Sequence, residues 1–427
     1  MFCAFALSTT SLTLADDAIP ESPTQRWWKG NLHTHSLWSD GDDFPEMIAE
    51  WYRNHGYHFL VLSDHNLLSE GQRWMKHNDI VKRGGGDALA KYRARFGGSW
   101  VQTRGDGDAM EVRLKPLDEF RYLVEERGRF IMIPSEEISD RASGKPVHMN
   151  ATNIGEAIEP LGGETPAEAM TNNLRAVREQ AERLGREIIV HLNHPNFGWA
   201  ITAEELASVI EEQFFEVYNG HPGVNHLGDE TRPSVERIWD IANAMRLSVL
   251  QATPLLGLAT DDSHDYHNKG NSKGSNTGRG WVMVRSEYLT PEHLIDACRR
   301  ADFYASSGVS LKSVSFDEKS KTLEIEIAAE PGESFTTTFI GTKIGDDKLA
   351  MPASDQVGVT LSEQEGHSVR YTMQDDDLYV RATITSSQAV DDPSFAGQRK
   401  QAWTQPVGYP LFDQTDGTSK AEPSTNP

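Results

Sequence analysis

The feature that most constrains the fold is a repeated alternation, between residues 27 and 310, of short apolar runs with segments of helical character. Within each run the hydrophobic residues are continuous, which indicates strands buried on both faces, as in parallel sheets. The runs lie at 30–35, 58–65, 129–137, 146–154, 187–195, 214–222, 255–264 and 280–286. Alternation over this length predicts an α/β barrel or a doubly wound sheet.

Three of the intervening segments begin with signals for the start of a helix. Residues 165–168 and 202–205 both have the pattern Thr-x-x-Glu, the spacing of a capping box. Residues 290–291 are Thr-Pro, and proline is favoured at the first helical position. We therefore predict helices that begin at these three places.

Two regions depart from the alternation. Residues 66–128 form an insertion, which we expect either to cover the active site as a lid or to be a packing elaboration on the barrel rim. From about residue 311, apolar residues alternate with polar ones, and Gly, Pro and Asp turns separate the short segments. This pattern predicts a small antiparallel β-sandwich domain over residues 311–413.

The two ends of the sequence have compositions of their own. Residues 1–15 carry no charge, end in small residues and precede a polar, acidic stretch. They resemble the apolar core and cleavage region of a signal peptide, which predicts export to the periplasm or the extracellular space. Residues 414–427 are polar and rich in Thr, Ser and Pro, and we expect a disordered tail there.

Charge and composition exclude several classes of protein. The chain has 64 Asp and Glu against 41 Lys and Arg, a net charge of −23, so its general surface repels nucleic-acid phosphates. No apolar run reaches the roughly 18 residues of a membrane-spanning helix, so we expect no membrane span. The two cysteines, Cys3 and Cys298, are too few for a disulfide scaffold or a Cys-ligated zinc site.

Histidine and acidic residues gather at the ends of the predicted strands. His33 and His35 are two residues apart, as are Asp262 and His264, and residues at this spacing on a strand point to the same face. Active sites of barrels and open α/β sheets form at the carboxyl ends of their strands. Similar residues end three other predicted strands, and one more lies within a further strand directly after Val147: Asp64, His65, Glu136, Glu137 and His194 at the ends, and His148 within.

The donor types of these residues indicate a metal site. Imidazole and carboxylate ligands without thiolate suit Zn²⁺, Mn²⁺ or Fe²⁺, and the set is too rich in nitrogen for Ca²⁺ or Mg²⁺ alone. Roughly nine such groups exceed the four to six ligands of one ion. We therefore predict a cluster of several ions that share a bridging carboxylate.

The order of these motifs resembles that of the PHP (polymerase and histidinol phosphatase) superfamily. The matching segments are HTHSLWSDG, LVLSDHN, IPSEEIS, VHMNATN, NHPN and ATDDSH, and the resemblance covers about residues 28–310. The signal-peptide-like start, the insertion and the stretches ADFYASSG and AWTQPVG resemble the carbaryl-hydrolase-type branch of PHP metallohydrolases. The resemblance implies a distorted (β/α)7 barrel that holds three metal ions at the carboxyl ends of its strands, followed here by the β-sandwich domain.

The resemblance also implies a role for particular residues. We expect Glu137, Asp262 and His264 to be catalytic as well as metal-binding. The implied ligands are His33, His35 and Asp262 for the first ion, Glu137 as a bridge to the second, His148 and His194 for the second, and Asp40, His65 and His264 for the third.

Adjacent acidic residues leave two of these assignments to the register. The position of the doublet within IPSEEIS favours Glu137, and alternation along a strand lets only one of Glu136 and Glu137 face inward. The Asp-x-His spacing favours Asp262 over Asp261.

Further polar and aromatic residues are weaker candidates for contact with a substrate. His191 is either a supporting residue of the site or a packed strand histidine. The candidates for substrate contact are Asn193, Asn219, His221 and Arg279, and those for an aryl-binding wall are Trp38, Trp74, Trp100 and Trp199.

The expected activity is metal-dependent hydrolysis of a small-molecule ester with two to three Zn, Mn or Fe ions. A hydroxide shared by the first two ions would attack the substrate, and the third ion would stabilise charge on a substrate oxygen. The superfamily resemblance favours a phosphoester, and the branch resemblance supports a carbamate or carboxylic ester. A rival of another class is a secreted binding module in which the barrel is only a scaffold. Such a module would be expected to lose metal ligands, whereas all nine ligand positions are filled in this sequence.

Overall fold

A computed structural model describes residues 24–267 and 273–412 of the chain. The strands in these residues are β1 Arg26–Asn31, β2 Phe59–Leu62, β3 Arg73–Lys76, β4 Thr103–Arg104, β5 Glu111–Leu114, β6 Ile131–Ala142, β7 Lys145–Thr152, β8 Ile189–Leu192, β9 Phe214–Asn219, β10 Leu256–Thr260, β11 Trp281–Ser286, β12 Phe303–Ser306, β13 Ser310–Asp317, β14 Thr322–Ala328, β15 Phe335–Lys343, β16 Val359–Glu365, β17 Ser368–Thr372, β18 Asp377–Ala389 and β19 Arg399–Trp403. The α-helices are α1 Pro45–Asn54, α2 His77–Gly84, α3 Ala88–Phe96, α4 Leu117–Val124, α5 Pro166–Leu184, α6 Ala203–Ser208, α7 Val235–Met245 and α8 Pro291–Arg299. A 3-10 turn covers Gly107–Ala109, and a π-helical turn covers Arg246–Leu250.

Each of the eight apolar runs overlaps a strand, and the predicted α/β class is confirmed. The strands are β1, β2 and β6–β11, and every residue of β2, β9 and β10 is buried. Helices α5, α6 and α8 begin at the predicted places, with the side chains of Thr165, Thr202 and Thr290 as N-caps. The full capping box forms at Thr202 and Glu205.

Seven strands of the N-terminal part are successive neighbours in one sheet. Their order in the sheet is β10-β9-β8-β7-β6-β2-β1. Beyond β10, the N–H of Asp262 donates to the carbonyl of His33 at 3.0 Å, and the N–H of His35 donates to that of Ser263 at 3.0 Å. These bonds bring the end of the last strand back to the end of the first.

The apolar runs predicted a parallel sheet, but the observed sheet is only partly parallel. Strand β7 is antiparallel to both β6 and β8. The chain between β6 and β7 is the two-residue turn Ser143-Gly144, with φ of 49° and 77°. Positive φ at both turn residues is the geometry of a tight hairpin, and a turn of this length leaves no room for the helical crossover that parallel strands need.

The C-terminal part is built of two antiparallel sheets. One has the order β12-β19-β18-β15-β16 and the other β13-β14-β17. Apolar side chains of both sheets, such as Leu323, Ile325, Phe339 and Ile384, share one buried cluster. The predicted boundary at residue 310 falls at the first residue of β13. The sheet nevertheless continues across it, because β12 pairs with both β11 and β19.

The insertion at residues 66–128 has a small antiparallel sheet, β3-β5-β4, and helices α2–α4. Its apolar side chains, including Ile80 and Val112, pack against Leu37, Trp38 and Phe44. The insertion is therefore attached to the loop that follows β1.

The two predicted terminal segments, the signal peptide at residues 1–15 and the tail at 414–427, lie outside the described residues. Within the part of the chain that the structure describes, no helix has the length and apolar character to cross a membrane.

Candidate metal centre

The nine predicted ligands come together at one end of the seven-stranded arrangement. His33 and His35 follow β1, His65 follows β2, and His194 follows β8. Glu137 and His148 lie on the paired strands β6 and β7, and Asp262 and His264 follow β10. Asp40 belongs to the loop between β1 and α1. The nine residues thus come from several separate segments of the chain.

Four ligand atoms meet at the first group. The Nε2 atoms of His33 and His35 are 3.1 Å apart. Each lies 3.2 Å from Oδ1 of Asp262. Oε2 of Glu137 is 3.6 Å from His33 Nε2 and 3.4 Å from His35 Nε2. Ligands bound at about 2.0–2.3 Å to one ion are roughly 3 Å apart, so these spacings suit a shared ion.

The two oxygens of Glu137 face different groups of histidines. Oε2 faces the first group and lies 2.8 Å from Nδ1 of His65. Oε1 lies 3.0 Å from Nδ1 of His148 and 3.7 Å from Nε2 of His194. Asn193 donates to the same Oε1 at 2.8 Å. Such a carboxylate has the geometry of a bridge between two ions.

The third group is nearer to the surface. Asp40 Oδ1 is 3.4 Å from Nε2 of His264, and Asp40 Oδ2 is 3.4 Å from Nε2 of His65. The Asp40 side chain is 51% exposed, against 0% for His35. A hydrogen bond between Nδ1 of His264 and the carbonyl of Asp262, 2.9 Å long, leaves Nε2 free to face Asp40.

Backbone conformation decides which member of the aspartate doublet faces the cluster. Asp262 has a φ of 49°, which turns its carboxylate into the site directly after β10. The carboxylate of Asp261 points away and accepts bonds from the N–H groups of Gly278, Arg279 and Gly280 at 2.7–2.8 Å. The geometry thus brings Asp262, and not Asp261, to the cluster.

The glutamate doublet is separated by ordinary strand alternation. Glu136 points to the opposite face from Glu137 and accepts a bond from the N–H of Ile158 at 2.6 Å. Burial raises the pKa of Glu136 to about 8, with a smaller contribution from the charge of Glu159. Glu136 therefore belongs to the packing of the 155–158 segment.

Asp64, at the end of β2, supports the loop that carries Asp40. Its carboxylate accepts bonds from the N–H and Oγ of Ser36, both at 2.8 Å, and from the N–H and Oγ of Ser39 at 3.1 and 2.6 Å. Gly41 completes this loop, because a Cβ at this position would lie 2.6 Å from the carbonyl oxygen of His35.

Charges within the cluster shift the pKa values of its ligands in different directions. Burial lowers the pKa of His264, but Asp40 and Asp262 outweigh it and raise the pKa to about 9. Burial and the charge of His264 lower the pKa of His35 to about 3. Burial raises the pKa of Glu137, but His65, His148 and His33 hold it well below its usual range. Ionised carboxylates and neutral imidazoles are the forms of these groups that bind a divalent cation.

Two observations test whether the residues suit a metal. Oε2 of Glu137 and Nδ1 of His35 are buried and accept or donate no hydrogen bond of regular geometry in the described residues, although Oε2 lies 2.8 Å from Nδ1 of His65. Four groups bring their ligand atoms within 4.8 Å of one another: His35, Asp40, His65 and His264; His33, His35 and Glu137; Glu137, His148 and His194; and His33, His191 and Glu216. The nitrogen and oxygen donors, without thiolate, fit Zn²⁺, Mn²⁺ or Fe²⁺.

The fourth group contains Glu216, a residue that the sequence analysis did not single out. Its Oε1 is 2.7 Å from Nδ1 of His33 and 3.5 Å from Nε2 of His191. The available signal was an acidic residue inside FFEVYN, a strand whose other central residues are apolar or aromatic. A charge in the middle of such a strand requires a buried partner.

The predicted substrate residues lie in different places. Asn193 and Asn219 are buried, and they donate to Glu137 and to Asp262 respectively. The half-buried His221 lies beside the site, with its ring centre 5.8 Å from that of His264. The guanidinium of Arg279 donates to the carbonyls of Gly220 and Gly274 and to Asp392. Arg279 thus makes structural contacts, and its contact with substrate stays a prediction.

Two of the four tryptophans predicted for an aryl-binding wall, Trp38 and Trp100, belong to the packing of the insertion, and Trp74 and Trp199 stay predictions for that wall. Trp38 is buried and donates to the carbonyl of Lys115 at 3.2 Å, and Trp100 donates to Glu46 at 3.0 Å. Both indoles pack within the core of the insertion. The aromatic ring beside the cluster is that of Phe197, whose centre is 5.0 Å from that of His194.

Comparisons with known proteins set limits on what can be transferred to this chain. A scan against protein-family models finds no match, and a search of curated proteins finds none either.

Solved structures give three similarities. A two-domain protein from Bacteroides vulgatus, described as containing a predicted PHP-like metal-dependent phosphoesterase, matches at 15% identity and a TM-score of 0.39 over 93% of this chain and 100% of that one. PsfC from Pseudomonas syringae matches at 9% identity and 0.32 over 64% and 88%. A candidate metal-dependent phosphoesterase from Bifidobacterium adolescentis matches at 14% and 0.30 over 64% and 94%. At these TM-scores, fold and function rest on the chain's own residues.

Proposed function

We propose that this chain is a metal-dependent hydrolase of the PHP type and that its substrate is a small phosphoester. The observation that carries the proposal is the buried Glu137, whose two oxygens face separate histidine groups. A carboxylate in this position is suited to hold two divalent ions at a fixed separation, which is the arrangement of many phosphoester hydrolases.

We infer that β1, β2 and β6–β10 form a distorted seven-stranded barrel, supported by their order and by the hydrogen bonds beyond β1 and β10. The C-terminal part would be a β-sandwich, supported by the apolar cluster shared between its two sheets.

In this mechanism the protein residues bind the metal ions, orient the ligand side chains and shield the site. His33, His35 and Asp262 would hold the first ion, His148 and His194 the second, and Asp40, His65 and His264 the third. Bound divalent ions supply a water molecule of lowered pKa and stabilise negative charge on a substrate oxygen. Asn193 keeps Oε1 of Glu137 in place through its 2.8 Å hydrogen bond. The exposure of Asp40 leaves the third group open to an incoming substrate.

The experiment is a substrate panel with protein loaded with Mn²⁺ or Zn²⁺. We expect turnover of nitrophenyl phosphate or bis-nitrophenyl phosphate, loss of turnover in Glu137→Gln, and its retention in the matched control Glu136→Gln. If the metal-loaded wild-type protein turned over none of the esters, this result would instead support the secreted binding module, in which the barrel is only a scaffold.

A carbamate or carboxylic ester is the second candidate substrate. It is favoured by the apolar ring of Phe197 beside the cluster, whose centre lies 5.0 Å from that of His194 and which suits an aryl group. Turnover of an aryl carbamate or aryl acetate without any phosphoester turnover would establish this candidate.

A further inference from the structure

The buried carboxylate of Glu216 is the group in the centre that the proposed reaction does not use. The residue lies in the middle of β9 and is 1% exposed. Its two oxygens accept hydrogen bonds from residues of the first and of the second ligand group. The contacts are Oε1 with Nδ1 of His33 and with Oγ1 of Thr260, both 2.7 Å, and Oε2 with the N–H of His194 at 2.8 Å and Nδ2 of Asn219 at 2.7 Å.

We propose that Glu216 is a positioning residue that holds the ligands of two different ions in their binding orientation. The inference rests on the proposed function, since it concerns the same metal centre. An ionised carboxylate only accepts hydrogen bonds, so Nδ1 of His33 must carry the proton. Nε2 of His33 is then left with its lone pair, and this is the atom that faces His35, Asp262 and Glu137.

The same carboxylate fixes the second group through the backbone. His194 directly follows the loop residue Asn193 after β8 and has a φ of 20°, which is rare for a residue with a side chain. The bond from the His194 N–H to Oε2 of Glu216 holds this conformation. Asn219 extends the network, because its Nδ2 lies 2.7 Å from Glu216 and 3.1 Å from Oδ2 of Asp262.

Glutamine cannot replace this carboxylate without a conflict. If its amide NH₂ faced His33, Nδ1 would have to give up its proton, and Nε2 would become an N–H that points into the metal site. If its amide oxygen faced His33, the NH₂ would oppose the N–H of His194 and the NH₂ of Asn219. Both orientations disturb a ligand, because an amide offers one acceptor where the carboxylate offers two.

The test compares Glu216→Gln with Glu212→Gln as a matched control. Glu212 is also fully buried, but it accepts from the N–H groups of Gln213 and Phe214 and touches none of the nine ligands. Metal stoichiometry by elemental analysis and Co²⁺ titration by absorption are the measurements, neither of which depends on turnover. Circular dichroism and thermal unfolding report whether each variant is folded.

We expect Glu212→Gln to match wild type, and Glu216→Gln to lose at least one ion or to bind Co²⁺ about 10- to 100-fold more weakly. If Glu216→Gln does not fold, Glu216→Asp decides, because it keeps the charge and withdraws it from His33. Wild-type stoichiometry and affinity in the folded variant would overturn the inference alone. A wild-type protein that binds no ion would overturn the proposed function with it.

Discussion

At the scale of single residues, neighbouring acidic side chains have separate tasks because the backbone turns them to opposite faces. Oxygens of Glu137 meet two histidine groups, whereas Glu136 caps the N–H of Ile158. We expect Glu137→Gln to lower hydrolysis at least ~100-fold and to reduce the metal content, since the bridge between two ions is lost. Rates and elemental analysis of the variant, beside Glu136→Gln, provide the check. A sensitive Glu136 with a tolerant Glu137 would contradict it.

The exposure of Asp40 gives a second prediction at this scale. Its side chain is half exposed, and it is the one carboxylate of the third group. Asp40→Asn should therefore remove about one equivalent of metal and leave the two buried ions. Stepwise chelation of wild type should likewise release one ion before the other two. Loss of all ions together, in the variant or on chelation, would show that the three groups are not separate.

The identity of the candidate ligands could be predicted from sequence because it depends on spacing at strand ends. His33, His35, Asp262 and His264 needed only the two-residue period of a strand and the resemblance of their motifs. The role of Glu216 could not be predicted in this way, because His33 and Thr260, its partners, are 183 and 44 residues away. The structural partner of Arg279 could not be predicted for the same reason, since Asp392 lies 113 residues further on.

At the scale of elements, α1 meets the insertion through a buried acid. Glu46 accepts bonds from Tyr92 at 2.5 Å and from Trp100 at 3.0 Å. Burial raises the pKa of Glu46 from its ordinary value to about 7, so folding favours the protonated form. The contribution of protonated Glu46 to folding stability is complete below the pKa of Glu46 in the unfolded chain. It is lost as the pH rises through about 7.

Glu46→Gln should remove this pH dependence, because glutamine stays neutral. Relative to wild type, the variant should gain stability between about pH 4.5 and pH 8, in a window set by the pKa of about 7. Urea unfolding at the two pH values measures the difference. An unchanged difference would mean that Glu46 is charged in the native protein. The exposed Glu156, whose pKa is lowered by Arg183, offers a control with the opposite sign.

Element positions were predicted well, and strand direction was not. Continuous apolar runs fix burial on both faces, which β7 satisfies although it is antiparallel to its neighbours. Direction depends on the connection, and here the local signal was the short polar turn at Ser143-Gly144. Helix starts such as Thr202 were predictable because their capping contacts span three residues.

At the scale of the whole molecule, a buried ion pair and a continuous sheet join the N-terminal and C-terminal parts. Arg381 on β18 donates from Nε and Nη2 to Asp240 on α7 at 2.8 and 2.7 Å. Tyr379 donates to the same carboxylate at 2.8 Å, and the guanidinium lies 4.6 Å from the ring centre of Trp239.

Arg381→Met should destabilise the protein by roughly 3–5 kcal/mol, since the carboxylate of Asp240 would be left buried without its partner. Denaturant unfolding measures the loss, and a single transition in wild type would show that the two parts unfold together. Arg300→Met, which removes an exposed ion pair with Asp296, should change stability by less than about 1 kcal/mol. Equal effects of the two variants would argue against the importance of the buried pair.

The central claim is that the histidine and carboxylate cluster holds several divalent ions. Elemental analysis of the purified, folded protein tests it most directly, before and after reconstitution with Zn²⁺, Mn²⁺ or Fe²⁺. We expect two to three equivalents per chain, one for each of the ligand groups around His33 and His35, around His148 and His194, and around Asp40. Less than about one equivalent after reconstitution, with no gain of activity, would contradict it.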